Sequence, residues 1–240
     1  MKVLENKKAL VSGGTRGIGF AIAHKLHSLG AEITVTGRTP HPKDKIPSNW
    51  NYIAVDFLNT SETEEFAKRA QEQNFDILIN NAGINKIAPI LEVDPKDFDR
   101  ILQVNLRAPF LLTQAVLRGM MARSWGRVVN ISSIFGVVSK SARASYSSSK
   151  FALEGFTKAV AAEVASSGVL INSLCPGFID TDLTREVLGT AGMADIAKQI
   201  PMKRLGSPEE IAEFVAWLAS PQNTYVSGQN LIIDGGFTSV

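Results

Sequence analysis

Tyr146 and Lys150 stand four residues apart in the run ASYSSSKFALEGF, and on a helix that spacing projects both side chains from one face. A phenol, with an ordinary pKa of about 10, is a poor proton donor or acceptor at neutral pH. An ammonium beside it favours the phenolate, brings that value down and can also hydrogen-bond a ribose hydroxyl. A Tyr-x-x-x-Lys pair on its own is as a rule just an exposed amphipathic pair, so other residues must decide. Ser133 lies thirteen positions before Tyr146 and closes the segment RVVNISS. A serine hydroxyl at the carboxyl end of a strand can donate to a carbonyl oxygen that gains negative charge as its carbon is reduced. Asn105, in VNLRAPF, is an awkward residue for a helix interior. A kink holding a water beside Lys150 accounts for it, and so does a plain cap or interhelical hydrogen bond.

A second cluster sits at the start of the chain. The run KALVSGGTRGIGFAIAHKL reads as a strand, a glycine-rich turn and a helix. Gly13 permits a tight turn, Gly17 lets backbone approach a pyrophosphate, and Gly19 lets the helix pack closely on the strand. Thr15, Arg16 and Ile18 belong to the same cradle. Phosphates then rest on the N–H groups and positive dipole end of the helix. The order is GxxxGxG, one residue wider than GxGxxG; alone it is a weak signal, and a structural turn is the alternative, but its place between first strand and first helix favours a dinucleotide.

Cofactor choice is read at the end of the second strand, about 20 residues further on. There the chain reads Thr36-Gly37-Arg38, with no carboxylate to bind ribose hydroxyls. Arg38, helped by Arg16, offers planar donors to a 2′-phosphate, so NADP(H) is preferred, with NAD(H) still open and a solvated loop arginine as the alternative. Asp56, followed by Phe57, ends the third strand where a carboxylate can accept from an adenine amine. Asn80-Asn81-Ala82-Gly83 ends the fourth, with Asn80, Ala82 and Gly83 read as the adenosine wall; turn and capping roles compete for these positions.

The elements that must carry these residues alternate between short apolar runs and longer amphipathic ones, the pattern of βαβ units and a parallel sheet. Strands are expected at about Lys8–Ser12, Glu32–Thr36, Asn51–Val55, Ile77–Asn80, Arg127–Ile131, Leu170–Leu174 and Asn230–Ile233. One helix runs from about Arg16 to a C-terminal stop at Gly30. Ser61 with Glu64 predicts a capping box for a helix reaching about Gln71. Asp94 and Pro95 open a long helix to about Met121, and another spans about Ser145–Ala165. Ser207, Pro208 and Glu210 open the last, ending near Ala219. Pro40, Pro42 and Pro47 make the stretch from Thr39 to Asn49 a loop. Pocket walls are expected from Ile134–Arg143 and Phe178–Met202, where Gly189 and Gly192 suggest a mobile lid at about 180–205. Lys140 and Arg143 read as solvated loop charges; the alternative is contact with a phosphate or carboxylate of a substrate.

The chain has 240 residues, 45% of them hydrophobic, which suits one large α/β domain over residues 1–240. Such a chain buries roughly 70–75% of its unfolded surface and needs no staple. Cys175 is the only cysteine, so no intrachain disulfide can form, and with His24, His27 and His41 far from it no metal pattern emerges. The balance of 25 basic to 23 acidic residues, without a basic stripe, argues against nucleic acid. MKVLENKKALVSGG lacks the apolar core of a signal peptide, and no stretch of about 18 uncharged apolar residues exists to span a bilayer. A soluble cytoplasmic protein without membrane attachment is expected.

Taken jointly, Gly13/Gly17/Gly19, Asn80-Asn81-Ala82-Gly83, Asn105, Ser133, Tyr146, Lys150, Pro176-Gly177 and the terminal LIIDGGF resemble the short-chain dehydrogenases/reductases across essentially the whole chain. The resemblance implies a Rossmann-type doubly wound sheet of seven parallel strands with helices on both faces, and a homotetramer. It implies a tetrad in which Tyr146 donates a proton to a ketone, Ser133 orients the carbonyl, Lys150 tunes Tyr146 and Asn105 holds a relay water. Pro176, Gly177, Ile179 and Thr181 fall where the family holds the nicotinamide amide and phosphate. Within the family, EVASSGVLINSLCPGFIDTDL and RGMMARSWGRVVNISS are most similar to bacterial 3-oxoacyl-[acyl-carrier-protein] reductases. Those enzymes dock an acyl carrier protein with arginines at places that are Ser124 and Ser167 here, with Arg123 one residue away. A ketone on a thioester is the expected substrate, with an alcohol or sugar dehydrogenase of the same family as the alternative and a non-catalytic dinucleotide sensor as a remote one. Enoyl reductases space their Tyr and Lys further apart than four.

Overall fold

Seven short segments rich in apolar and β-branched residues pair side by side, all parallel, in the order β3-β2-β1-β4-β5-β6-β7. They are β1 (Lys8–Val11), β2 (Glu32–Gly37), β3 (Asn51–Ala54), β4 (Ile77–Asn80), β5 (Gly126–Ile131), β6 (Val169–Pro176) and β7 (Asn230–Ile233). The computed structural model describes residues 2–40 and 46–240, apart from the side chains of residues 183 and 187. Residues 41–45, which include His41 and Pro42 of the proline-rich stretch, lie outside the described residues. β4 and β5 are buried at every position, as expected for strands covered on both faces.

Helices supply that cover. On one face α1 (Gly17–Ser28) lies against the last long helix, α7 (Pro208–Leu218), where Ile22 and Leu26 share an apolar cluster with Ile211, Val215 and Leu218. On the other, Phe66 of α2 (Thr60–Glu72), Leu112 and Met120 of α4 (Ala108–Ala122) and Val164 of α5 (Ala144–Val164) form the second cluster. α3 (Pro95–Leu102) leads into α4, and α6 (Asp182–Gln199) follows β6. No helix among the described residues is long and apolar enough to cross a membrane.

The order runs outward from β1 in one direction and from β4 in the other. Connections after these two strands therefore leave toward opposite sides, opening a crevice at their carboxyl ends. The expected strands and most helices are found within a residue or two. The stop at Gly30 (φ 105°) and the capping box of Ser207 and Glu210 are present.

Two expectations need correction. The capping side chain of α2 is Asn59, which accepts from Glu62 N, rather than Ser61; a turn fastened by Asp56 starts the helix earlier, and Glu64 instead pairs with Arg107. The long helix is not continuous, because residues Gln103–Arg107 form one π turn between α3 and α4. The segment expected as a lid is largely helical, broken at Gly189 (φ 62°, ψ 174°).

A buried polar chain fixes the layers that carry the site. Asn80 Nδ2 donates to Asn130 Oδ1 and Thr113 Oγ1, Asn130 Nδ2 donates to Thr157 Oγ1, and the Thr157 hydroxyl meets that of Ser173. β4, β5, β6, α4 and α5 are thereby locked in register by side chains as well as backbone. Each buried partner left unsatisfied costs about 1–3 kcal/mol. Asn130→Ala removes the bonds to Asn80 and Thr157, which keep Thr113 and Leu153 as partners, so unfolding free energy should fall by about 1–3 kcal/mol in urea titrations; a change within error would show that the network carries no stability.

Candidate active site

The crevice begins with the glycine turn. Gly13 (φ +63°) adopts a left-handed conformation, and its N–H reaches Thr36 Oγ1 at 3.2 Å. Gly19 is required for a different reason: a Cβ there would lie 2.4 Å from Gly13 O and from Asn81 Nδ2. That amide is the clamp of the turn, donating to both Ser12 O and Gly13 O at 3.0 Å. The Ser12 hydroxyl accepts from Asn81 N and Ala82 N, both at 3.0 Å. Four hydrogen bonds thus tie the end of β1 to the end of β4.

The turn fits the expected dinucleotide. α1 starts without a capping side chain and without an acidic residue in its first turn, so its first N–H groups are open to an anion. Thr181, the N-cap of α6, lies across from Gly17, its Cγ2 3.6 Å from where a Cβ would stand. The end of β2 abuts the turn, since a Cβ on Gly37 would meet Thr15 Cγ2 at 2.7 Å. Arg38 and Arg16 on this rim are exposed. Ile18 lies in the first turn of α1.

Other candidates differ in what they can offer. Asn80 Nδ2 is engaged in the buried chain above, while its Oδ1 is buried without a partner. Phe57 is buried against Phe66, and its carbonyl accepts from Gln103. One Asp56 oxygen caps Leu58 N. Gly83 lies between Asn105 and Lys150, its ideal Cβ position 3.5 Å from Asn105 Oδ1 and 3.9 Å from Lys150 Nζ. Pro176 ends β6, Gly177 N donates to Ile233 O, and Ile179 bridges to Gly206.

The second half of the site projects from α5 under β5. Lys150 is buried, and its Nζ donates to Ile131 O at 2.9 Å. It lies 5.7 Å from the centroid of the Tyr146 ring. Asn105 sits in the π turn, its amide donating to Ile84 O and Ser149 Oγ and accepting from Ile84 N. Ser149 Oγ in turn donates to Tyr146 O. The asparagine side chain therefore makes the interhelical bond, holding the turn of α5 between Tyr146 and Lys150. Ser133, just past β5, accepts from Phe135 N and stands beside the Tyr146 phenol, which it makes more acidic.

Burial sets the electrostatics. It pushes the Tyr146 phenol above its ordinary value, while the Ser133 hydrogen bond and the charge of Arg143 pull it back in part. Burial is the largest of these influences, so a neutral phenol is the resting form. Burial lowers Lys150 to about 8, against the opposing charge of Glu154 and, less, Cys175. Glu154 is itself buried one turn beyond Lys150 and accepts from Cys175 Sγ at 3.2 Å. The thiol is pushed up by the same burial and carboxylate, so Cys175 is no nucleophile.

Sequence reasoning missed Glu154, whose signal was a carboxylate four residues past Lys150 within an apolar run. It also missed the Asn81 clamp and the aromatic wall, where Phe135 contacts Tyr146 and Phe178, and Phe178 contacts Phe237. Arg143, expected in solvent, is only 6% exposed.

Lysine held below its ordinary 10.5 means that the unfolded chain binds more protons between about pH 8 and 10, so stability rises with pH there. Above about pH 10 the raised phenol of Tyr146 acts in the opposite sense. The unfolding free energy of the native sequence should therefore gain on that of Lys150→Met from pH 8 to 10. Parallel pH profiles for the two in denaturant titrations would contradict a depressed lysine.

Comparison with known proteins agrees with this geometry. The family described as Enoyl-(Acyl carrier protein) reductase matches residues 13–238. The 3-oxoacyl-[acyl-carrier-protein] reductase of Vibrio cholerae is 39% identical over 239 residues, covering 97% of this chain and 98% of the relative. Among solved structures, a short chain dehydrogenase/reductase family protein superposes with a TM-score of 0.92 at 35% identity, covering 100% of both chains. A gluconate 5-dehydrogenase from Burkholderia cenocepacia, in complex with NADP and tartrate, gives 0.91 at 31% identity, over 99% of this chain and 97% of that one. With a parallel sheet in this order, a glycine turn at its crevice and full-length likeness to these proteins, the chain belongs to the short-chain dehydrogenase/reductase family.

Proposed function

We propose that this chain is an NADPH-dependent reductase that converts a ketone to a secondary alcohol, with Tyr146 as proton donor. The observation that carries the reading is the Tyr146 phenol beside Ser133, on the helix face that also holds the buried Lys150, whose Nζ lies 5.7 Å from the centroid of the tyrosine ring. Bound NADPH supplies a hydride to the carbonyl carbon. Tyr146 gives its proton to the carbonyl oxygen, and the Ser133 hydroxyl orients that oxygen and stabilises its growing charge. Lys150 keeps one donor on Ile131 O and has two left for the tyrosine oxygen and a ribose hydroxyl. Asn105 has its amide occupied, so a relay water is held by the backbone of the π turn, a local geometry frequent at functional sites. Arg16 and Arg38 take the 2′-phosphate, and the 182–199 segment, hinged at Gly189, serves as the substrate lid.

A 3-oxoacyl thioester is the substrate supported by the relatives' name. Carrier docking at Ser124 and Ser167 has weak support, because the nearby Arg123 is tied to Asp76, Asn74 and Phe75. A second reading, an NAD(P)-dependent dehydrogenase of sugar acids, is favoured by the gluconate 5-dehydrogenase likeness and by the buried Arg143. A groove of about 570 Å³ between α4 and α5, bordered by Phe110 and Phe156 with Arg107 and Asp99 at its rim, supports pairing with a second copy toward a homotetramer. A cytoplasmic location fits this chemistry.

Tyr146→Phe should retain NADPH binding by fluorescence titration and lose about 10²–10⁴-fold in kcat on acetoacetyl-CoA; near-normal turnover refutes the proton-donor role. Arg38→Asp should weaken NADPH by at least about tenfold more than NADH, the loss of one charge-assisted contact being worth about 1.5–3 kcal/mol. An unchanged preference in paired titrations overturns the 2′-phosphate assignment.

A further inference from the structure

Arg143 immediately precedes α5, three residues before Tyr146. It is 6% exposed, yet its side chain makes no hydrogen bond or ion pair among the described residues, and its Nε is buried without a partner. Its guanidinium stands 5.1 Å from the centroid of the Phe135 ring, the same ring that meets Tyr146 edge-on at 6.4 Å. Lys140 Nζ lies 5.8 Å from that ring and 5.9 Å from Phe178. The two cations feel each other, since the charge of Arg143 adds to burial in lowering Lys140. No carboxylate acts on either one. Arg143 and Tyr146 thus flank one aromatic ring, which places the guanidinium beside the site of the reacting oxygen.

A buried charge without a partner is costly, and Lys, Arg, Asp and Glu are almost never fully buried unpaired. Aromatic faces offset only a small part of that cost. Such an arrangement is readily kept where the counter-charge arrives with the ligand. The guanidinium presents planar, forked donors that match a carboxylate in two parallel hydrogen bonds. Phe135, Phe178 and Phe237 pack edge to face beside it, and apolar surroundings of this kind strengthen such a pairing.

We infer that Arg143 is a specificity-determining residue that binds an anionic group, a carboxylate in particular, carried by the ketone a few bonds from the carbonyl reduced at Tyr146. The pocket then takes oxo acids more tightly than uncharged ketones of the same skeleton, with Lys140 adding charge at the mouth. This deepens the ketone-reductase reading above, on the side of sugar acids and other oxo acids rather than thioesters, and rests on it for the identity of the reacting group.

The test compares acetoacetate with methyl acetoacetate, one skeleton with and without the charge, and follows NADPH oxidation for the native sequence and for Arg143→Gln and Arg143→Lys. The ratio of kcat/KM for acetoacetate over the ester should fall about 10–100-fold in Arg143→Gln, carried by KM, from loss of a charge-assisted pair. Arg143→Lys should recover part of it. A ratio unchanged by Arg143→Gln overturns the inference. Calorimetric titration with malonate, an unreactive dianion, supplies a readout independent of turnover: binding should weaken at least about tenfold in Arg143→Gln, and equal binding overturns the inference as well. Should the native sequence reduce neither ketone nor acetoacetyl-CoA while malonate still binds through Arg143, the anion site stands and the reductase reading falls.

Discussion

Desolvation of two ionisable groups on one face of α5 is the constraint on which the rest of the molecule depends. Tyr146 and Lys150 are four residues apart on that helix, and burial moves them in opposite directions, the phenol up and the ammonium down to about 8. A phenol kept neutral can release a proton only to an atom that gains charge within reach, and a lysine brought near 8 is easily influenced by what binds beside it. Burial of this kind is unfavourable to folding, so the surroundings must compensate for it. Ile131 O receives one lysine N–H, Ser133 offsets part of the rise at the phenol, and Glu154 opposes the loss of charge at the lysine.

The surroundings are rigid because polar side chains, not only the backbone ladder, join the layers. The Asn80–Asn130–Thr157–Ser173 chain crosses three strands and reaches α5. Asn105 extends the same logic from the π turn to Ser149 on α5. A π turn relaxes helical geometry where a side chain must point into the site, which is why an asparagine tolerates this interior position. Buried hydrogen-bond networks of this kind favour one arrangement of their helices.

The glycine turn obeys a steric constraint instead. Gly19 has no space for a Cβ between Gly13 O and the Asn81 amide, and the Asn81 clamp keeps both at that distance. The result brings backbone N–H groups and the uncapped start of α1 to the crevice between β1 and β4. Two exposed arginines, Arg16 and Arg38, rim the same opening, so the positive field and the open donors converge there.

Local signals were legible in the amino-acid order because each depends on a few neighbouring residues. The strand and helix periods, the stop at Gly30, the Ser207–Glu210 box, the glycine turn and the Tyr146–Lys150 spacing are of this kind. Even so, the helix after β3 begins at Asn59 rather than Ser61, because Asp56 forms a turn just ahead of it. What only the tertiary structure decided depends on segments far apart along the chain. Ser12 and Asn81, sixty-nine positions apart, clamp the turn only once β1 and β4 are side by side. Arg143 reads as a loop charge until Phe135 closes over it, and Glu154 reads as a surface carboxylate until β6 brings Cys175 against it. Periodicity and spacing are properties of a one-dimensional string, whereas burial, and with it the ionisation of every group in the site, is a property of what packs around a residue in space.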